Sequence, residues 1–286
     1  MDEAILALIR RQSRRFRALP TGVRSSGSLP RLPRAVLFDM YGTLLLHRKA
    51  RGHSPARARA IARLLLRRKV KITPPRLAEL LDTAIRSAQA RMRATGIDYP
   101  EVRIEAIWRG IVTHSLTEDL RELIVEYELA NSPAWPMPGA RRLLAALARQ
   151  GVVLGIVSNA QFYTPLFFDA LFGRSLEAAG FSPDLCLYSF QHGEAKPSQR
   201  LFGLIANRLR ARGIRKREVL FIGNDPLNDM VPAARCGFMT ALAAIDRRTL
   251  GEHRAVRGGA DLLIGSFADV EPLVLGANAP RLMQST

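Results

Sequence analysis

The stretch Arg34-Ala-Val-Leu-Phe-Asp-Met-Tyr-Gly-Thr43 sets four apolar side chains in a row, then a carboxylate, then a glycine. A short unbroken apolar run has the texture of a strand buried on both faces. The glycine lets the chain turn sharply once the strand has ended. Asp39 therefore stands at the carboxyl end of a buried strand, where a carboxylate either caps a helix or does chemistry. Taken alone, the stretch leaves both readings open.

Working outward, the same texture recurs at Val152–Val157, Leu185–Tyr188, Val219–Ile222, Met239–Ala244 and Leu262–Ile264, each run ending in polar residues and followed by helical periodicity. Strands alternating with helices predict an α/β fold, a doubly wound parallel sheet with helices on both faces. In such sheets the ligand lies beyond the carboxyl ends of the strands, where the strand order reverses. The interval from His47 to Trp135 lacks strand texture and carries helical spacings such as Ile61, Leu64, Leu65 and Leu77, Leu80, Leu81, Ile85. It reads as an inserted α-helical domain over 47–135. The prolines of Pro133-Ala-Trp-Pro-Met-Pro-Gly139 mark the return to the sheet, because they cannot continue a helix.

The core domain is thus expected over 34–46 and 136–286. Residues 1–33 precede it as a basic amphipathic helix over 1–18, followed by a Ser-, Gly- and Pro-rich linker from Pro20 to Pro33.

Composition sets outer bounds. With 286 residues, 48% of them hydrophobic, the chain can bury a sizeable core. No apolar run is long enough for a transmembrane segment. Cys186 and Cys236 show no metal-binding or disulfide spacing, which fits a reducing, cytoplasmic setting. The net charge of +18 attracts anions. Because the arginines are spread over many helices, a small anionic substrate is the leading expectation for a partner and nucleic acid the lesser one. Oligomeric state is not legible. His47, His53, His114 and His192 lack ligand spacing and are read as solvated or packing residues.

Three further pieces fall at strand ends. Ser158-Asn159 offers a hydroxyl and an amide that suit hydrogen bonding to an anion. Lys196-Pro197, after Gln191-His-Gly-Glu194, delivers a cation. Gly223-Asn-Asp-Pro-Leu-Asn-Asp229 is an acidic glycine turn, the oxygen-rich arrangement that a hard cation needs. Read singly, each also suits a cap or a turn.

In this order and placement, the pieces resemble the haloacid dehalogenase superfamily from Arg34 almost to the C-terminus. The resemblance implies that Asp39 forms a covalent aspartyl intermediate, that Ser158 binds the transferring group, and that Lys196 orients Asp39 and offsets its charge. It implies Mg²⁺ as cofactor, held by Asp39, the Tyr41 carbonyl, Asn224, Asp225 and Asp229. The insert resembles a cap that selects substrate, and Tyr41, Asn159 and Gln161 are expected to contact it, the Gln161-Phe-Tyr-Thr-Pro165 segment lying just beyond Ser158.

Two departures from the family pattern matter. Family phosphatases carry Asp two places after the nucleophile as acid and base, and here that place is Tyr41. The Asp-x-Tyr-Gly-Thr form is similar to that of the 2-haloacid dehalogenases, which attack carbon without a metal. Against this, the acidic loop is retained with Asn224 after its glycine, and Phe202 stands where a dehalogenase tyrosine is expected. Three functions follow in order: a Mg²⁺-dependent phosphohydrolase acting on a good leaving group, a metal-independent dehalogenase, and a catalytically weak scaffold for polyanions.

Overall fold

The computed structural model describes residues 2–48, 54–112, 120–249 and 259–275. Arg51, which with Arg57 is among the arginines of the insert that could meet an anionic substrate, lies outside them, as do His53 and His114. The strands are β1 (Ser26–Gly27), β2 (Ala35–Phe38), β3 (Leu45–His47), β4 (Ala134–Pro136), β5 (Val153–Ser158), β6 (Phe181–Tyr188), β7 (Val219–Gly223), β8 (Met239–Ala243) and β9 (Leu262–Ile264). The helices are α1 (Asp2–Gln12), α2 (Pro55–Arg67), α3 (Pro74–Ala94), α4 (Ile104–Ile111), α5 (Leu120–Asn131), α6 (Ala140–Arg149), α7 (Tyr163–Phe172), α8 (Ser189–His192), α9 (Gln199–Ala211), α10 (Val231–Cys236) and α11 (Val270–Leu275).

Seven strands form the main sheet in the order β1-β9-β8-β7-β2-β5-β6, parallel throughout except that β1 runs antiparallel to β9. The α/β expectation holds. Strand β2 is central because it is apolar on both faces. Val36 and Phe38 belong to one buried cluster, and Ala35 and Leu37 to the other, as the two-residue period of a strand requires. On the second face Phe202 packs against Phe221 and Phe238 at ring separations of 5.3 and 6.3 Å. Each fully buried phenylalanine of this kind stabilises the core by roughly 2–3 kcal/mol.

Both neighbours of β2 run parallel to it in matched register, Phe38 lying beside Ile156 of β5 and Ile222 of β7. The chain leaves β2 toward one side and returns on the other, so the switch point lies at the carboxyl ends of β2, β5 and β7. The helical insert hangs from a small antiparallel stem, β3 with β4, in which Leu45 faces Pro136 and His47 faces Ala134. Within the insert the buried Glu126 accepts from Arg67 at 2.5 Å and from Arg68 at 3.0 Å. Part of the basic charge is thus spent inside the fold.

The N-terminal segment is more than a helix and a linker. Helix α1 buries Ile5, Leu8 and Ile9 and packs on both α5 of the insert and α7 of the sheet domain, with Gln12 Nε2 donating to Glu126 at 2.8 Å. The chain then runs along the loop after β8, where the Leu19 N–H donates to Asp246 Oδ1 at 3.0 Å and the Arg247 N–H donates to the Leu19 carbonyl at 2.8 Å. It ends as β1 on the edge of the sheet. The helix stops at Gln12, short of the 1–18 expected, and the Pro20–Pro33 stretch is anchored along its length. None of the described helices is long and apolar enough to cross a membrane.

Candidate active site

Asp39 follows β2 directly, its N–H donating to the Ile222 carbonyl at 3.0 Å, so the side chain is fixed level with the ends of the neighbouring strands. Its Oδ1 accepts from Ser158 Oγ at 2.9 Å and from Lys196 Nζ at 2.8 Å. Lys196 Nζ also donates to Asp229 Oδ1 at 2.5 Å. Asp39, Ser158, Lys196 and Asp229 are all buried. Asp39 Oδ2 has no donor among the described residues. The nucleophile, hydroxyl and cation predicted from separate strand ends meet in one hydrogen-bonded group.

Burial works to lower the Lys196 amine, but the Asp229 and Asp39 carboxylates outweigh it and hold it above its ordinary 10.5. Lys196 is thus an ammonium ion. Burial pushes the Asp229 carboxyl up to about 6, with Lys196 pulling the other way. The lysine is held by its backbone too: its N–H donates to Asn159 Oδ1 at 2.7 Å, and Asn159 Nδ2 returns a bond to its carbonyl at 3.0 Å. Asn159 therefore positions Lys196 while lining the cavity above it.

The acidic loop is arranged differently from a cage of carboxylates. Asp229 Oδ2 accepts the N–H groups of Asn224 and Asp225, both at 3.0 Å. Asp225 caps the following turn, its Oδ1 accepting from Leu227 and Asn228 N–H at 2.8 and 3.0 Å and its Oδ2 from Asn228 Nδ2 at 2.8 Å. Asn224 Nδ2 donates to the Thr249 carbonyl at 2.9 Å. A Cβ on Gly42, whose φ is +84°, would lie 2.6 Å from Asn224, so only glycine lets the two loops meet here. Among the described residues no three His, Cys, Asp or Glu side chains gather as a metal site. A Mg²⁺ ion still fits in reduced form, because it is commonly bound through one or two carboxylates together with water and substrate phosphate. The Asp39 carboxylate and the Asn224 side-chain oxygen, which also accepts from Thr43 Oγ1 at 3.4 Å, are the side-chain groups left for it, beside the Tyr41 carbonyl.

Tyr41 donates to or accepts from Thr164 Oγ1 at 3.1 Å, and its ring lies 4.7 Å from that of His47. Burial, with the nearby Glu128 charge, raises the phenol above its ordinary 10.0, so it stays protonated. Gln161 turns to the insert: its Nε2 donates to Glu101 Oε1 at 3.2 Å and to the Val102 carbonyl at 2.9 Å, while its Oε1 accepts from the Ile104 N–H at 2.9 Å. It joins the insert to the sheet domain.

A cavity of about 1130 Å³ opens over Asp39 and Lys196, lined also by Tyr41, Asn159, Gln161, Asn224, Asp225 and Asp229. Of the site residues expected from the sequence, all but Ser158 line it. Sequence reasoning missed His47, Glu101, Glu128 and the arginines Arg48, Arg247 and Arg248 on the same walls. For Glu101 the signal was weak, a lone acid in Tyr99-Pro-Glu-Val102. It is mostly buried and accepts from Ser189 Oγ at 2.7 Å and from the Val102 N–H at 3.0 Å.

Burial raises the Glu101 carboxyl above its ordinary 4.5. A carboxyl raised in the folded state gives stability that is fully present below its unfolded value and is lost as pH rises through the folded one. Glu101→Gln is therefore expected to lose less stability than the parent as pH is raised above 4.5. Urea midpoints measured across that range for both proteins check this, and parallel curves would exclude Glu101 as a source of the slope.

The model of a family described as haloacid dehalogenase-like hydrolase matches residues 33–237. A comparison with curated proteins found no match. Among solved structures, a 2-haloacid dehalogenase from Pseudomonas syringae pv. tomato is 18% identical, over 85% of this chain and 98% of that one, with a TM-score of 0.56. A haloacid dehalogenase-superfamily phosphatase from Thermococcus onnurineus is 20% identical, over 86% and 99% of the two chains, with a TM-score of 0.49. A predicted phosphoglycolate phosphatase from Haemophilus somnus is 18% identical, over 83% and 96%, with a TM-score of 0.45. With its parallel sheet, its strand-end aspartate and a family match across most of its length, the chain belongs to the haloacid dehalogenase-like hydrolases.

Proposed function

We propose that the protein is a phosphohydrolase that uses Asp39 as covalent nucleophile on a small anionic substrate with a good leaving group, such as an acyl phosphate. The observation that carries this reading is the wide cavity over the Asp39–Lys196 pair, rimmed by Arg48, Arg57, Arg247 and Arg248. A cavity this wide, with arginines at its rim beside the acids Glu101 and Glu128, suits a larger phosphorylated substrate better than a small haloacid.

Asp39 Oδ2 attacks phosphorus, the bond to the leaving oxygen breaks, and an aspartyl phosphate forms. Ser158 Oγ and Lys196 Nζ hold Oδ1, so the other oxygen faces the substrate in a fixed orientation. Lys196 offsets the charge of the two carboxylates as the phosphoryl group arrives. A Mg²⁺ ion held by Asp39, Asn224 and the Tyr41 carbonyl would neutralise charge on the phosphoryl oxygens. An acyl leaving group departs as a carboxylate and needs no proton, which suits a site where residue 41 is a neutral phenol. Water then attacks the aspartyl phosphate, Asp39 is restored, and the water's proton is carried off on the phosphate produced.

The dehalogenase reading keeps one specific support, the aromatic Tyr41 in place of an acid. A panel of acyl phosphates, phosphate esters and 2-haloacids, each with Mg²⁺ and with EDTA, separates the two. Phosphate release from acyl phosphates that depends on Mg²⁺ is the expected outcome. Halide release that persists in EDTA would replace this reading with the other.

A further inference from the structure

We propose that the N-terminal segment builds a second anion-binding subsite at the mouth of the cavity, made by Arg48 and Arg247, which takes a carboxylate or phosphate at the far end of the substrate. The proposal rests on the phosphohydrolase reading for the reacting end only.

The residues come from three distant parts of the chain. Phe16 lies in the N-terminal segment, before the family match begins at residue 33. The guanidinium carbon of Arg48 lies 5.8 Å from the centre of its ring, and that of Arg248 lies 5.2 Å from the same centre. One aromatic side chain thus gathers an arginine from the root of the helical insert and another from the loop after β8. The same loop is laid against the segment by backbone pairing of Pro20 with Asp246 and by Arg247 Nη2 donating to the Pro20 carbonyl at 3.2 Å.

The three arginines are not equivalent. Arg248 is consumed by Asp246 at 3.0 Å and by the Arg17 carbonyl at 2.6 Å, so it braces the segment and adds little net charge. Neither Arg48 nor Arg247 has a carboxylate partner among the described residues. Both line the cavity that holds Asp39 and Lys196. Each keeps N–H groups free for an anion, and a guanidinium binds carboxylate and phosphate alike. Leu19, between Phe16 and Pro20 in the segment, lines the same cavity. A substrate with its phosphoryl group on Asp39 and an anionic tail toward the mouth meets cations at both ends, whereas a neutral tail leaves Arg48 and Arg247 unused.

The test compares two acyl phosphates of one shape, 4-carboxybenzoyl phosphate and its uncharged 4-carboxamide. The protein is expected to show kcat/KM about tenfold higher for the carboxylate. In the double variant Arg48→Gln, Arg247→Gln the ratio is expected to fall to about one, and Arg48→Lys, Arg247→Lys is expected to restore part of it. Equal kcat/KM in the parent, or a ratio that survives the glutamines, overturns the subsite.

If neither compound is hydrolysed, calorimetry on Asp39→Asn with 4-carboxyphenylphosphonate and phenylphosphonate decides. Tighter binding of the carboxylate, abolished by the glutamine pair, upholds the subsite while the phosphohydrolase reading fails. Equal binding overturns the subsite.

Discussion

Asp39→Asn is expected to lower kcat/KM by about four orders of magnitude or more while leaving a folded protein, because nucleophiles that act as a unit with their neighbours show losses of this size. The substitution is mild in shape. An asparagine oxygen can still accept from Ser158 Oγ and Lys196 Nζ, the two donors now on Oδ1. What it removes is the oxygen that attacks, and with it the covalent intermediate. Quenching the parent during turnover of an acyl phosphate is expected to trap a chain heavier by one phosphoryl group, located on the peptide that contains Asp39. The variant should give none. Turnover that survives the substitution would show that the strand-end carboxylate is not the nucleophile.

The second large effect concerns the cation between the two carboxylates. Lys196→Met is expected to abolish hydrolysis and to lower stability by about 3 kcal/mol or more, the usual cost of leaving buried charge uncompensated. Lys196 Nζ holds Asp39 at 2.8 Å and Asp229 at 2.5 Å, and the Asp229 side chain is 1% exposed. Methionine fills much of the same volume, so packing against Phe221, whose ring lies 5.5 Å from Nζ, is largely retained. The loss is therefore electrostatic. Adding Asp229→Asn to Lys196→Met is expected to recover most of the stability and none of the activity, since an asparagine oxygen can still accept the Asn224 and Asp225 N–H groups. Denaturant unfolding of the parent, single and double variants checks this, and a double variant no more stable than the single one would assign the loss to packing.

The buried strands were legible because they are short apolar runs: Ala35–Phe38 and Leu262–Ile264 match β2 and β9 residue for residue. Strand β6 begins four residues before the apolar run that revealed it. Ser182 and Asp184 are polar and Pro183 has no N–H to donate, and all three are tolerated because β6 is an edge strand with one side unpaired. The stem strands β3 and β4 are three residues each, too short for any periodicity to appear. Ser158 was legible from its position at the end of β5, because matched register carries strand ends to one level, whereas Lys196 lies beyond β6 and α8 and was legible only through the family resemblance.

Asp225 was not, since an acid before proline reads equally as a cation ligand or a cap, and only the N–H groups of Leu227 and Asn228 decide. Glu101, His47 and Arg247 were hidden for another reason. Their neighbours in space lie far away in sequence, as Gln161 does from Glu101, and such pairings leave no local trace.

The insert and the sheet domain are joined covalently only through the β3–β4 stem, yet α1 also spans them, seated on α5 and α7 together. Any swing of the insert away from Asp39 must therefore peel Ile5, Leu8 and Ile9 from one partner or carry the N-terminal segment with it. A chain shortened to begin where the family match does would lose this clasp and expose the apolar face of α7. Such a chain is the wrong one in which to judge how readily the site opens, because the clasp and the Phe16 ring that gathers Arg48 and Arg248 lie on one continuous segment.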